Sequence, residues 1–341
     1  MITASPMSRL SPPARAWREL WREAITDAGE LLAAVGLAGR PDLLPPDDAG
    51  FPLRVPRGFV ARMRPGDPND PLLLQVLPRR AEHDTAEGFT VDAVGDMAAK
   101  AGHGLLHKYD GRALLIASGS CAVNCRYCFR RHFPYGEEIA AAAQWRDALA
   151  HVRADTSIRE IILSGGDPLA LATHKLAELT RGLADLPHVI RLRIHTRLPV
   201  VLPERVDAEF TDWLAHLPLQ KVVVLHANHA NEFDDTVDAA CARLRDAGAT
   251  LLNQSVLLHG VNDDADALVS LSERSFAAGV LPYYLHQLDK VAGAAHFEVD
   301  DAHALRLIDS LRGRLPGYLV PKLVRELPGD PAKRPIADFA R

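Results

Sequence analysis

Apolar runs and amphipathic stretches alternate along the chain from about residue 105 onward. Six short apolar runs predict strands at Ala113–Ala117, Glu160–Leu163, Ile190–Ile194, Val222–Leu225, Leu251–Val256 and Leu281–Leu285. Apolar residues at helical spacing follow four of these runs, at Ala141–Arg153, Leu169–Ala184, Thr236–Ala247 and Ala265–Ala278. Strands that alternate with helices favour parallel βαβ units. The pattern therefore predicts an α/β fold built from six such units.

The first 100 residues have a different pattern, which predicts a mainly helical accessory region. Trp17, Leu20, Trp21 and Ile25 stand at helical spacing, and five prolines interrupt the chain between residues 41 and 56. We therefore divide the chain into an N-terminal region (1–100), a strand–helix domain (105–300) and a C-terminal segment (301–341).

Unusual polar sequences follow the predicted strands. ASGSCAVNC follows the first, SGGDP the second, HTRLP the third, HANHANE the fourth and HQLDK the sixth, while NQSVLLHGVND spans the fifth and its exit. In a parallel barrel, the loops after the strands meet at one face and carry the chemistry. If the fold is a barrel, these six loops converge on one site.

Composition and charge exclude several classes of partner. Of 341 residues, 39 are Lys or Arg and 44 are Asp or Glu, so the net charge of −5 offers no bulk attraction to nucleic acid or to an anionic membrane. No apolar run approaches the ~18 residues of a membrane span, and the first residues lack the apolar segment of a secretory signal. With three of four cysteines inside eight residues, a disulfide framework is not expected. We expect a cytoplasmic protein.

Cys121, Cys125 and Cys128 form a CxxxCxxC cluster. Thiolates suit iron–sulfur clusters or zinc, and three ligands to a [4Fe–4S] cluster leave one iron open to a small molecule. Zinc is an alternative with His132 as a further ligand, although zinc sites usually show paired CxxC knuckles or matching histidines. Cys241 lies in a predicted helix, where a core thiol is favoured over a fourth ligand.

The cysteine spacing, with Tyr127 before the last cysteine, resembles the radical S-adenosylmethionine superfamily. SGGDP resembles the element with which that superfamily holds the methionine amino group of the cofactor. The resemblance implies a partial (β/α)6 TIM-like radical SAM barrel, a [4Fe–4S] cluster on the three cysteines and bound S-adenosylmethionine. The implied contacts to S-adenosylmethionine are Ser164, Gly165, Gly166, Asp167, His226 and Gln254.

Further motifs narrow the resemblance, among them GLLHKYDGRALL, CRYCFRRHFPY, HANHANE and PYYLHQLDKVAGAAHF. Together they resemble the lysine 2,3-aminomutase family, most closely its short bacterial branch. The resemblance implies an isomerase that converts L-lysine to β-lysine, the (R) product, for modification of elongation factor P by a separate lysine ligase. It further implies pyridoxal phosphate as a cofactor and an electron donor such as flavodoxin or ferredoxin, and it allows a homo-oligomer.

The family holds pyridoxal phosphate on a lysine in a glycine-rich PGGGGK-like stretch near the C-terminus. The matching sequence here is PGDPAK, which makes Lys333 the implied Schiff-base lysine in the C-terminal segment. Asp330 and Pro331 replace two glycines, so we expect a stiffer loop. Arg112 matches a family arginine near the cofactor phosphate, an anion that guanidinium binds well.

The resemblance also assigns groups to the two ends of the substrate. Arg130 matches the arginine that holds the α-carboxylate. Asp289 matches an aspartate that binds the ε-ammonium, and Glu326 stands where the larger enzymes have a second aspartate. Carboxylates beside an ammonium lower the cost of burying it.

Two other functions fit part of the pattern. An aminomutase for glutamate or arginine would share the cofactors, but a glutamate enzyme should offer cations where this chain has Asp289 and Glu326. A non-enzymatic iron–sulfur electron carrier would need no Lys333 and would usually ligate all four irons.

Overall fold

The computed structural model describes residues 16–45, 50–138 and 142–336. At its centre, within these residues, lies one sheet whose ten strands are neighbours in sequence order. The strands are Lys100–Gly102 (β1), Leu105–Tyr109 (β2), Arg112–Ser118 (β3), Glu160–Gly165 (β4), Arg191–Thr196 (β5), Gln220–Leu225 (β6), Ala249–Val256 (β7), Leu281–His286 (β8), Lys322–Arg325 (β9) and Arg334–Pro335 (β10).

Strands β3 to β9 pair in parallel, while β1, β2 and β10 pair in antiparallel fashion at the two edges. All six predicted strands are confirmed, but the parallel run has seven strands because the sequence analysis missed β9. That strand has four residues and charged ends, so its hydrophobic signal is short.

The sheet curls so that side chains near its two edges come into contact. Lys108 of β2 and Glu326, which follows β9, form an ion pair with an Nζ–Oε1 distance of 2.9 Å. Along β5 the alternation places Leu192 and Ile194 in the core and Arg193 on the cavity side. An open sheet curled in this way matches the expected partial barrel.

Helices surround the sheet. They are Trp17–Arg22 (α1), Ala28–Ala34 (α2), Arg57–Val60 (α3), Pro71–Leu74 (α4), Tyr135–Glu138 (α5), Ala142–Ala154 (α6), Thr173–Ala184 (α7), Leu198–Val201 (α8), Ala208–His216 (α9), Asp235–Asp246 (α10), Ala265–Ala277 (α11) and Asp301–Arg314 (α12). The four predicted helices correspond to α6, α7, α10 and α11. Ala141, the predicted start of the first, is outside the described residues, and α7 begins at Thr173 because a separate 3₁₀ turn precedes it at Pro168–Ala170.

Local sequence signals explain where these helices begin and end. Asp234, Asp264 and Asp300 each accept backbone N–H groups in the first turns of α10, α11 and α12. Gly248 and Gly279 follow α10 and α11 with φ of 84° and 77°, the left-handed conformation that commonly ends a helix.

The N-terminal region contains short helices that pack onto the barrel. The predicted helix over Trp17–Ile25 is correct as far as Arg22, but Ile25 leaves it and forms a β-bridge with Val55. Phe59 of α3 is buried in the same apolar cluster as the barrel strands. The helices in the described parts of the chain are all too short or too polar to cross a membrane.

Candidate active site

One cavity of about 610 Å³ lies inside the curled sheet. All of the site residues expected from the sequence line it, namely Arg112, Cys121, Cys125, Cys128, Arg130, Ser164, Gly165, Gly166, Asp167, His226, Gln254, Asp289, Glu326 and Lys333. Their convergence follows from the topology, because parallel strands bring the loops after them to one edge.

The cysteine loop follows β3 and carries three free thiols. Burial raises the pKa of Cys128 to about 11, and the nearby Cys125 thiol adds to the effect. Three thiolates this close together therefore need a cation to stabilise them, which the iron ions of a cluster supply. The donor set fits a cluster with three cysteine ligands, whereas Cys241 is buried in α10 and does not line the cavity.

Arg197 supports the cysteine loop and was missed by the sequence analysis. Its Nη1 donates to Cys125 Sγ at 2.7 Å and to Tyr127 Oη at 2.6 Å, and its Nη2 donates to Gln75 Oε1 at 2.8 Å and Glu232 Oε2 at 3.0 Å. The HTRLP sequence marked this loop as unusual. The pairing with Glu232 depends on the tertiary fold, so no local signal pointed to the arginine itself.

Gly165 and Gly166 allow the end of β4 to approach the cysteine loop. Gly165 has φ of 118°, and a Cβ on Gly166 would lie 2.7 Å from Ser120 O. Gly166 N donates to Ser118 O at 2.6 Å. The close neighbour of both glycines is the backbone that leads into Cys121.

The Asp167 carboxylate is saturated by protein donors. It accepts hydrogen bonds from Thr196 Oγ1 and from the backbone N–H groups of Leu169, Arg197 and Leu198. The expected direct contact of this carboxylate with S-adenosylmethionine is therefore not supported. Asp167 instead fixes the loop after β5, which carries Arg197.

The strand ends β5 to β8 contribute neutral polar groups. His226 Nε2 lies 3.4 Å from His195 Nδ1. Burial, together with nearby cations of which Arg197 comes first, lowers the pKa of His226 to about 3. Within the described residues, Gln254 Oε1 and His286 Nε2 are buried without hydrogen-bond partners. Because buried polar atoms are normally satisfied, these atoms fit contacts to a bound ligand.

At the other side of the cavity, Glu326 lies between two lysines. Its Oε2 is 2.6 Å from Lys333 Nζ and its Oε1 is 2.9 Å from Lys108 Nζ. Although burial opposes ionisation, the two ammonium groups hold the pKa of Glu326 well below its usual range. Lys108 was missed by the sequence analysis, since nothing in HKY distinguishes it from a surface lysine.

Arg130 is also held by an ion pair. Its Nε lies 2.6 Å from Asp96 Oδ2 and its Nη1 donates to Ser164 Oγ at 3.0 Å. Asp96 Oδ1 in turn lies 2.6 Å from Lys108 Nζ. Asp96 was missed as well, because the loop around it has no recognisable motif. Arg130 and Glu326 are thus connected through Asp96 and Lys108.

Asp289 follows β8, and its Oδ1 is buried without a hydrogen bond among the described residues. Burial raises the pKa of Asp289 to about 7, and the charge of Glu326 contributes to this rise. A cationic group on a bound ligand would complete this part of the site.

Arg112 begins β3, at the opposite end of that strand from the cysteine loop. Its guanidinium carbon lies 4.6 Å from the centre of the Tyr109 ring. The neighbouring Arg191 and Arg193 both pair with Glu160. Within the described part of the chain, Arg112 has no carboxylate partner and fits an anionic group such as a phosphate.

Comparisons with known proteins agree with this arrangement. A family model described as the radical SAM superfamily matches residues 115–271. L-lysine 2,3-aminomutase from Escherichia coli (strain K12) is 48% identical over 330 residues, which cover 96% of this chain and 96% of the relative. L-lysine 2,3-aminomutase from Haemophilus influenzae is 47% identical over 94% of this chain and 96% of its own. The protein of that name from Clostridium subterminale is 35% identical over 82% of this chain and 67% of its own. The chain belongs to the lysine 2,3-aminomutase family of radical SAM enzymes, which are isomerases.

Proposed function

We propose that this enzyme converts L-lysine to β-lysine by moving the amino group from C2 to C3, with a [4Fe–4S] cluster, S-adenosylmethionine and pyridoxal phosphate as cofactors. The observation that carries the proposal is Asp289 Oδ1, which is buried without a hydrogen-bond partner among the described residues and lies in the same cavity as Glu326, Arg130 and Lys333. A diamino acid presents an anion at one end and a cation at the other, which these groups complement.

Different residues would hold each of the three cofactors. Cys121, Cys125 and Cys128 would ligate the cluster, and Lys333 would hold pyridoxal phosphate through its amine. When bound, the cluster with S-adenosylmethionine supplies a carbon radical, and pyridoxal phosphate supplies a π system that stabilises an unpaired electron. Arg112 fits the phosphate of pyridoxal phosphate.

The chain supplies the orientation and the exclusion of water. His226, Gln254 and Ser164 line the same cavity as the three cysteines, and their proposed role is to contact S-adenosylmethionine there. Arg130 binds the substrate carboxylate, and Asp289 and Glu326 bind the distal ammonium. The enclosing strands shield a reactive radical from solvent.

Two features of the cavity weigh against a glutamate aminomutase and against an electron carrier. A glutamate substrate would place a third carboxylate beside Asp289 and Glu326, at a Coulomb cost. A function as an electron carrier does not explain why Lys333 lines the same cavity as the cysteines.

The proposed product is (R)-β-lysine for the modification of elongation factor P by a separate ligase, in the cytoplasm and with flavodoxin or ferredoxin as electron donor. The resemblance to the short bacterial branch supports this assignment. The near-complete mutual coverage with the two relatives that are 47–48% identical agrees with it.

The test is a product assay. Reduced enzyme with a reconstituted cluster and bound pyridoxal phosphate is incubated with L-lysine and S-adenosylmethionine, and the product is resolved by chiral chromatography. We expect (R)-β-lysine, which should disappear in Cys121→Ala and persist in the matched control Cys241→Ala. Absence of any β-lysine from fully loaded enzyme contradicts the proposal, and (S)-β-lysine contradicts the stereochemical assignment alone.

A further inference from the structure

The two carboxylate oxygens of Glu326 contact cations that are held very differently. Lys108 Nζ, on Oε1, also lies 2.8 Å from Val94 O and 2.6 Å from Asp96 Oδ1. Lys108 donates hydrogen bonds to Val94 O and Glu326 Oε1, and the carboxylate of Asp96 adds an ion pair. Lys108 is therefore fixed, and it fixes Oε1.

Lys333, on Oε2, has no comparable support. Within the described residues its Nζ has one polar contact, to Glu326 at 2.6 Å. It lies in the C-terminal segment beyond Gly329, and 21% of its side chain remains exposed. Oε2 thus has a partner that can leave while Oε1 stays in place.

The departure of that partner would change the charge balance around Glu326. Lys108 and Lys333 carry two positive charges beside the single charge of Glu326, with Asp289 close enough to feel all three. A further ammonium would meet repulsion while Lys333 is charged. With Lys333 neutralised, Oε2 becomes a buried acceptor without a donor, which is unfavourable until another cation arrives.

The proposed cofactor causes such a neutralisation. The Lys333 ammonium gives one proton to solvent, and its amine condenses with the aldehyde to form a C=N bond and release one water. The Lys333 nitrogen is then bonded to the cofactor and is no longer an ammonium that pairs with Glu326 Oε2.

We propose that Glu326 Oε2 is a shared cation site, which Lys333 occupies in the cofactor-free protein and the distal ammonium of the substrate occupies once the Lys333 amine is bound to the cofactor. This inference rests on the proposed function, because it requires a diamino-acid substrate. It makes recognition of the distal ammonium conditional on cofactor loading, so the cofactor binds before a productive substrate.

The test compares L-lysine with L-norleucine, which has the same six-carbon chain but ends in a methyl group. Affinities are measured by ligand-observed NMR without S-adenosylmethionine, so that no turnover occurs. We expect cofactor-free wild-type protein to prefer lysine by less than about threefold and cofactor-free Lys333→Met to prefer it by at least about tenfold, the equivalent of 1.4 kcal/mol.

A matched control is available at the surface. Lys175 and Glu178 form an exposed ion pair at 2.9 Å, and Lys175→Met should leave the lysine preference of the cofactor-free protein unchanged. An equal lysine preference in wild-type and Lys333→Met protein would overturn the inference.

A second measurement avoids dependence on one variant. Loading wild-type protein with pyridoxal phosphate should raise its preference for 6-aminohexanoate over hexanoate, neither of which has an α-amine to displace Lys333 from the cofactor, and Glu326→Gln should abolish that rise. A strong preference that is already present without cofactor and does not change on loading contradicts the shared site. If loaded wild-type protein shows no preference for lysine, the proposed lysine specificity itself fails.

Discussion

The two sides of the cavity are built by different means. On the cysteine side, backbone contacts, the four donor groups around Asp167 and the buried pair of Arg197 with Glu232 hold the loop in one arrangement. On the lysine side, ion pairs between side chains hold Glu326 and Lys333. The first arrangement suits a centre that must not move, whereas the second allows charges to change partners.

Removing one cysteine should have the largest effect and should show whether the two sides are independent. We expect Cys121→Ala to lose cluster iron and all formation of β-lysine, because two cysteines cannot hold a cluster with one open iron. Pyridoxal phosphate should still bind at Lys333. Iron analysis and the absorbance of the bound cofactor measure the two sites separately, with Cys241→Ala as the control. Loss of both groups in folded protein would show that the sides are coupled.

The ionisation of Asp289 should make stability depend on pH. In the folded protein burial raises its pKa from 3.8 to about 7. Between these values the unfolded chain binds fewer protons than the folded protein, so the free energy of unfolding falls as the pH rises from about 4 to about 7. The Asp289→Asn variant has no carboxyl group here and does not lose stability in this way. Its free energy of unfolding, relative to that of wild type, should therefore rise by up to about 4 kcal/mol between pH 4 and pH 8.

Denaturant titrations of the cofactor-free protein at several pH values measure this difference. The exposed residue Asp212, changed to Asn, serves as the control. A difference between Asp289→Asn and wild type that does not vary with pH would show that Asp289 is already ionised in the folded protein.

Adding one methyl group should disturb the cysteine side. Gly166→Ala places a Cβ against Ser120 O, a backbone atom that cannot rotate away. We expect a loss of about 1–3 kcal/mol in the free energy of unfolding, together with weaker cluster retention. Gly313→Ala in α12 is the matched control, since a Cβ there meets nothing within 4 Å. Equal stability of the two variants would mean that the approach of β4 to the loop is not tight.

Shortening one carboxylate should give the smallest effect and test the lysine side. Glu326→Asp cannot reach Lys108 and Lys333 equally, so we expect a loss of about 1 kcal/mol in unfolding free energy, in the range of one hydrogen bond. Glu178→Asp removes a comparable contact to Lys175 at the surface and should change stability by less than about 0.5 kcal/mol. Denaturant titration compares the two, and identical effects would indicate that Glu326 is as well solvated as Glu178.

The same contrast explains how far the sequence could predict the structure. On the cysteine side, CxxxCxxC and SGGDP are two short motifs at the ends of neighbouring strands, so their cysteines and glycines could be predicted without coordinates, whereas Arg197 could not. The six longer strands were predictable because buried parallel strands are continuous apolar runs. Ile25 was assigned to a helix because its spacing is helical, but pairing with Val55 outweighs that preference.

The lysine side could be predicted only in part. Lys333, Asp289 and Glu326 were found by likeness to family motifs, whereas Lys108 and Asp96 carry no local signal. Lys108 pairs with a residue 218 positions away, and no periodicity reports such a contact. The donors to the Asp167 carboxylate were not predictable for a related reason, since three of the four come from Thr196, Arg197 and Leu198 on another strand end.

The strict sequence order of the ten strands has a consequence for biosynthesis. Each new strand can add to the edge left by the preceding one, so the sheet can grow as the chain leaves the ribosome. The contact between Lys108 and Glu326 must wait until nearly the whole chain has emerged. The cysteine loop can therefore fold well before the residues proposed to bind the distal ammonium are in place. A nascent chain would thus become able to bind the amino acid last.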